Sequence, residues 1–312
     1  MANDLQIVGL GMATLDVVLR LKQMPTWEHG THIEGFRLEG GGPVGTAMVA
    51  SARLGARVGF IGTAGNDKSA EIKLSTMVEC GIDLSRLVRH EGPDDQIIIV
   101  HVHAETGERT FSGVGNVLRQ PIRVDDLDRE YITSAEYLHL DGFHYDSALQ
   151  SAKWMKEAGK KVVYDGGKTN GRVGDSTRKL IEYVDVLITG AGFAKGLTDI
   201  DDIYEAGKAI LKMGPSILVE TVGDEGSYTV TADECFHTPA FNVGVIDTTG
   251  AGDVFHGAYI VGLLHKWDPH QIALFSSAVS AIKCTKLGGR AGIPCFDEAI
   301  NFLKDRGIVL SA

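Results

Sequence analysis

Six short aliphatic runs, each closed by a glycine, an aspartate or a threonine, constrain this chain more than any other feature: "LQIVGLG", "RVGFIGTAG", "YLHL", "KKVVYDGG", "VDVLITG" and "SILVETVG". Runs this short and this aliphatic read as strands buried within a sheet. Between them lie stretches with helical spacing, such as "TAMVASARLG" and "SALQSAKWMKEAGK". The alternation predicts an α/β architecture: a doubly wound, largely parallel sheet flanked by helices.

Two segments break the alternation. "THIEGFRL", from Thr31 to Leu38, reads as extended, and Gln96 to Phe111 reads as a hairpin turning at "AETGE", where Gly107 supplies a positive φ. They predict a small β lid, spanning about 12–40 and 95–115, inserted into a single domain 1–312 and able to exclude water from a reaction beneath it. The run Gly40 to Gly42 reads as a loop that lets a ligand approach the backbone.

Composition removes several function classes. The formal charge of −11 opposes nucleic acid or an anionic membrane as the main partner. The four cysteines, Cys80, Cys235, Cys284 and Cys295, contain no CxxC pair and read as reduced thiols rather than a disulfide or zinc framework. No run reaches the roughly 18 apolar residues of a membrane helix, and "MANDLQIVGLGM" lacks the basic start of a signal peptide, so a soluble cytoplasmic protein is expected.

The chemistry concentrates in "VIDTTGAGDVFHGAYIVGLL", Val245 to Leu264. Gly250, Ala251 and Gly252 let the backbone curl so that successive N–H groups face one space, and the helix beginning near Asp253 adds its positive end there. That is a nest for developing negative charge. Asp253 beside it is placed either to take a proton from a hydroxyl or to cap the helix; the three small residues before it favour the proton acceptor, since a cap does not need them. His256, one turn on, reads as a second acid–base group or as a hydrogen-bonded helix histidine.

"DTTGAGDVFHGA" resembles the C-terminal signature of the ribokinase-like, or PfkB-type, carbohydrate kinases, and "EGGGPVGTAMVASARLGA" is similar to their N-terminal glycine signature. "YDGG", "ETVGDEG" and "KCTKLGGRAGIP" follow in that family's order, so the resemblance spans nearly the whole chain. It implies an ATP-dependent kinase using Mg²⁺ and acting on a sugar hydroxyl. Asp253 would be the base, and the Gly250, Ala251 and Gly252 backbone would form the anion hole. Asp16, Gly41, Gly42 and Thr46 would bind sugar hydroxyls, and Thr221, Gly223 and Gly226 would join Gly250 and Gly252 in the nucleotide site. A monovalent cation, K⁺, would sit with Asp247, Thr249 and carbonyls of the Lys283 to Arg290 loop.

Each assignment has a plainer rival in the residues themselves. Asp16 lies past a buried strand, where it binds hydroxyls or caps a turn; Gly41 and Gly42 permit close approach or a flexible turn; Thr221 and Gly223 face a ligand or merely end a strand. The chain also departs from the family pattern. Thr46 stands where an asparagine is common, and Thr189 to Gly192 replace an Asn-x-x-Glu that helps organise metal and phosphate, which leaves Mg²⁺ to the nucleotide phosphates and water.

The motif combination is most similar to a bacterial subgroup that includes sulfofructose kinases. However, "LHLDGFHYD" offers Phe143 and two histidines but no arginine or lysine for a sulfonate. Asp141 in that segment suggests a neutral polyol or ketose, with a turn former as the rival. Other readings are a nucleoside kinase, which Phe111 and Phe143 leave open, a sugar-sensing binding protein without turnover, and, more remotely, a nicotinamide oxidoreductase. "GLGMAT" is an incomplete dinucleotide fingerprint, no GxxxxGK[ST] is present, and His101 and His103 read as a lid-packing or solvated pair rather than a metal site. The exposed lid edge predicts a homodimer in which lids pair.

Overall fold

The computed structural model describes residues 4–113 and 120–310; positions 114 and 115 of the expected second lid segment lie outside the described residues. In chain order, β1 (Ile7–Leu10) is followed by β2 (Thr14–Leu21) and β3 (Ile33–Gly41), then α1 (Pro43–Arg53) and β4 (Val58–Ile61). Short strands β5 (Thr63–Ala64) and β6 (Val88–Arg89) flank α2 (Lys68–Glu79), and β7 (Ile97–His103) with β8 (Arg109–Gly113) form the hairpin. After α3 (Arg129–Ser134) come β9 (Tyr137–Leu140), α4 (Tyr145–Glu157), β10 (Lys161–Asp165), α5 (Asp175–Ile181) and β11 (Val186–Gly190). Next are α6 (Phe193–Thr198), α7 (Ile203–Leu211), β12 (Ile217–Thr221), β13 (Ser227–Thr231) and β14 (Cys235–Thr238). The helices α8 (Ala251–Leu264), α9 (Pro269–Lys283) and α10 (Phe296–Lys304) close the chain.

The main sheet runs β4-β1-β9-β10-β11-β12-β13-β14, parallel from β4 to β12 and antiparallel in its last two strands. All six aliphatic runs supply parallel strands, because both faces of this sheet are covered. In β1, Ile7 enters the core on one face, while Val8 and Leu10 enter the core on the other. Gly9 has no room for a side chain: a Cβ there would meet Met48 and Val44 of α1 at 2.5 and 2.6 Å.

Helix α8 is buried from Val254 through Gly262. A Cβ at Gly257 would collide with the Ala47 carbonyl of α1, so the missing side chain lets the two helices touch. The Ser51 hydroxyl joins them, within hydrogen-bond reach of the Ala47 and Gly257 carbonyls at 3.0 and 3.1 Å.

A second sheet, β3-β2-β7-β8, is the expected lid, and Gly107 has φ +70° at its hairpin turn. Val18, Val100 and Val102 are buried beneath it with Leu287 packed against them. Its footing is a buried ion pair: Lys73 of α2 lies 2.5 Å from Asp94, both side chains are sealed from solvent, and Lys73 also donates to the Thr63 carbonyl and the Gln96 side chain. Among the described residues no helix is long and apolar enough to cross a membrane.

Candidate active site

The parallel strands point their carboxyl ends to one edge, where open α/β sheets bind ligands. Asp141 follows β9, Asp165 ends β10, Gly190 ends β11 and Thr221 ends β12. Thr221 pairs with Gly190, and its hydroxyl donates to the Thr189 carbonyl at 3.0 Å. Gly223 has φ +68° with open space about its Cα; Gly226 has φ +106°, and a Cβ there would strike the Thr238 carbonyl.

Helix α8 begins at Ala251, two residues earlier than expected, with Gly250 as its N-cap at φ +71°. Several other helices are capped by an aspartate side chain: Asp67 in α2, Asp202 in α7, Asp268 in α9. No side chain caps α8. Among the described residues the amides of Gly250, Gly252 and Asp253 have no acceptor, while that of Ala251 donates to the Thr248 carbonyl at 3.2 Å. The open amides are those of Gly250, Gly252 and Asp253; the turn that shapes the nest takes the Ala251 amide. The Asp253 carboxylate makes no hydrogen bond among the described residues, so it does not cap its own helix.

Asp253 is half-buried, and burial pushes its carboxyl up to about 8, with Asp165 and Asp16 adding repulsion and Arg109 and Lys283 opposing it. Those four charges place the residues around it. Arg109 comes from the lid: its Nη1 donates to the Thr248 hydroxyl at 3.0 Å, and the Thr248 hydroxyl and amide in turn donate to the Gly107 carbonyl at 2.9 and 3.2 Å. The lid hairpin is therefore fastened to the loop that carries the nest.

Asp16 sits in lid strand β2, not at the end of a main-sheet strand. It is buried, accepts from the Thr14 hydroxyl at 2.6 Å, and burial pushes it up to about 6. The glycine run is likewise not a loop. Gly40 and Gly41 end β3, and Gly42 is the N-cap of α1 at φ +86°. A Cβ at Gly41 would overlap the Asp16 carboxylate, so close approach is what this glycine provides. Thr46 of α1 lies against Gly250, whose Cβ would meet its methyl at 3.4 Å, and its hydroxyl is 3.4 Å from Arg290 Nε.

Arg290 is fully buried and ties these parts together, donating to the Gly41 carbonyl at 2.6 Å and the Lys73 carbonyl at 3.3 Å, while its amide donates to Glu39 at 3.2 Å. Asp141 is committed to the main chain: its two oxygens accept the Met12 amide at 2.7 Å and the Phe143 amide at 3.1 Å. That is the turn-forming rival to substrate contact. Where Asn-x-x-Glu is missing, Glu220 of β12 supplies a carboxylate instead, but it is spent on the Gly192 and Ala194 amides at 3.0 and 2.8 Å.

Behind Asp253, His256 is buried and uncharged, its pKa driven down to about 3 by burial, with Nδ1 3.7 Å from Asp165. His101 and His103 bond within the lid hairpin, to Ser112 and Thr106, and among the described residues no cluster of three metal-ligating side chains forms. Asp247 and Thr249 are both buried beside the nest; Asp247 accepts the Thr249 amide at 2.8 Å and the Gly288 amide at 2.7 Å.

Sequence reasoning passed over the side chains of Arg109, Asp165, Glu220, Lys283 and Arg290 as parts of the candidate site. The last two carried a signal: a charged residue inside an apolar helix, in "SAIKC", and an arginine flanked by glycines, in "LGGRAG".

Comparison with known proteins agrees with this fold. A model of the pfkB family of carbohydrate kinases matches residues 5–295. The chain is 26% identical over 304 residues to an ATP-dependent ribose-1-phosphate kinase of Halopiger xanaduensis, covering 96% of this chain and 99% of that one. It is 27% identical over 317 residues to a fructokinase of Solanum tuberosum, covering 96% and 95%. The structure of Arabidopsis thaliana ribokinase complexed with ribose and ATP superposes with a TM-score of 0.81 at 21% identity, over 97% of this chain and 99% of that one. The fold is ribokinase-like.

Proposed function

This chain belongs to the pfkB family of carbohydrate kinases, enzymes that use ATP, and we propose that it phosphorylates a hydroxyl of a small neutral sugar with Asp253 as general base. The observation that carries the reading is the pairing of an uncapped helix start with a carboxylate held free of protein partners beside it. Asp253 takes the proton as the hydroxyl attacks the γ-phosphorus in line, and the amides of Gly250, Gly252 and Asp253 receive the charge that spreads over the transferring group. Arg109 adds a cation from the lid side.

Asp16, Gly41, Gly42 and Thr46 form the sugar side, with Arg290 fixing their backbone. Asp141 acts by holding the Met12 and Phe143 main chain rather than by direct contact. Thr221, Gly223 and Gly226 line the nucleotide side. Magnesium arrives with the nucleotide, held by its phosphates and water, because Glu220 is already committed to main-chain amides. The cluster of Asp16, Asp165 and Asp253 disfavours a sulfonate or phosphate on the accepting sugar and favours a ketose or polyol.

The chain works as one unit, with the lid segments about 12–40 and 95–115 closing over the cleft. Ile33, Phe36, Leu38 and Phe111 are exposed on the lid, and they support a homodimer in which lids pair. Four free thiols and a demand for ATP support a cytoplasmic location. A coupled ADP-release screen against ketoses, aldoses, sulfosugars and nucleosides tests the reading. Saturable turnover with a neutral sugar is expected. A preference for nucleosides, read by the exposed Phe111 and Phe143, would overturn the substrate class, and saturable sugar binding without ATP consumption would make the protein a sensor.

A further inference from the structure

Lys283 ends α9 with its side chain sealed from solvent, and its ammonium donates to the main-chain oxygen of Asp247 at 2.9 Å. This is where a monovalent cation was expected. A bound K⁺ needs several carbonyl or carboxylate oxygens turned toward one centre. Several of these are already engaged. The two Asp247 carboxylate oxygens accept the Thr249 and Gly288 amides, the Cys284 carbonyl accepts the Ile246 and Asp247 amides at 2.9 and 3.2 Å, and the Lys283 carbonyl accepts the Lys286 amide at 3.2 Å. Of the side-chain oxygens of Asp247 and Thr249, Thr249 Oγ1 alone lacks a partner among the described residues. With the buried Lys283 ammonium already on the Asp247 carbonyl, these residues do not fit K⁺ beside it.

The surroundings suit a fixed positive charge instead. Lys283 lies at the carboxyl end of a helix of fifteen residues, where the helix dipole favours a cation. Burial lowers the pKa of the ammonium, and the Asp247 and Glu39 carboxylates oppose that effect. It is also among the charges felt by Asp253. A metal cation within about 4 Å of it would meet strong repulsion.

We propose that the Lys283 ammonium is a tethered monovalent cation, which holds the Asp247 to Asp253 loop in its phosphate-receiving shape and makes the enzyme independent of K⁺. The inference rests on the kinase reading. Its test has two readouts: turnover, and the melting temperature of the protein alone, each in KCl and in choline chloride at matched ionic strength, so that screening is equal. Turnover within about twofold and the same melting temperature in both salts are expected, since a cation that does not bind the native state cannot stabilise it. Activation by K⁺ of about tenfold or more, or melting raised by K⁺ alone, would overturn the proposal.

Lys283→Met is expected to lose roughly 10²-fold in turnover, the scale of one lost preorganised charge, and to recover part of it with added NH₄⁺ or K⁺. Undiminished turnover in that variant without either ion would also overturn it. If the variant does not fold, the wild-type salt comparison still decides. If no sugar is phosphorylated in any salt, the kinase reading fails, while the melting comparison still judges Lys283.

Discussion

Arg109 in the lid hairpin donates to the hydroxyl of Thr248, 3.0 Å away, in the loop that leads to Asp253. The contact fastens the lid to the proposed reaction centre and holds a guanidinium close enough to Asp253 to oppose the rise in its pKa. Arg109→Ala removes the cation and its own bond to Thr248, whereas Thr248→Val removes both hydroxyl bonds, keeps the amide bond to Gly107 and leaves the cation.

For Arg109→Ala the expected loss in kcat is about 10²-fold, with the acid limb of the pH–rate profile moved to higher pH. Thr248→Val should mainly raise KM, because lid closure becomes less favourable while the charge near the phosphoryl group is kept. Steady-state kinetics across pH separates the two. An unmoved profile in Arg109→Ala would remove Arg109 from the electrostatics of the site.

The pH dependence of the wild type follows from Asp253. With its carboxyl near 8 in the free protein, kcat/KM should climb about tenfold per unit below that pH and level off above it. A profile flat from pH 6 to 9 (about three units) would mean that no such group titrates in the free enzyme.

Stability should run the other way. The Asp253 carboxyl rises from 3.8 to about 8 on folding, so the folded state holds the proton more tightly, and this group's contribution falls as pH rises from about 4 to about 8. Asp253→Asn removes that penalty. Its melting temperature should exceed that of the wild type at pH 8 by the equivalent of roughly 1–3 kcal/mol, after solvent screening of a half-buried group, and the two should converge near pH 4.

The buried Lys73–Asp94 pair gives a prediction away from the chemistry. Asp94→Ala leaves an ammonium sealed from solvent without its carboxylate and should cost roughly 3–5 kcal/mol in urea unfolding. Replacing both, as Lys73→Met with Asp94→Leu, should recover only part of that loss, because the Gly65 and Gln96 amides that Asp94 accepts lose their acceptor.

The parallel strands, the hairpin turning at Gly107 and the buried helix after Gly250 were all legible in the sequence, because each rests on a local signal: aliphatic run length, a glycine at a turn, a small-residue motif. Residues whose behaviour depends on distant partners were not. Asp141 reads as either a ligand or a turn former, and the Met12 amide that donates to it, far away in sequence, is seen only in the fold. Gly40 and Gly41 look like a loop until their pairing with Leu15 and Thr14 in β2 shows them to be strand. The buried charges of Lys283 and Arg290 gain their meaning only from carbonyls that the fold brings to them.

The central claim is that the carboxylate of Asp253 removes the proton of the accepting hydroxyl. The most direct measurement is the rate of ADP formation by Asp253→Asn under saturating ATP and sugar, with the affinity for each measured calorimetrically on the same preparation. The account predicts near-native affinities and a rate lower by about 10²- to 10⁴-fold. A rate within about tenfold of the wild type, with both ligands bound, would contradict it.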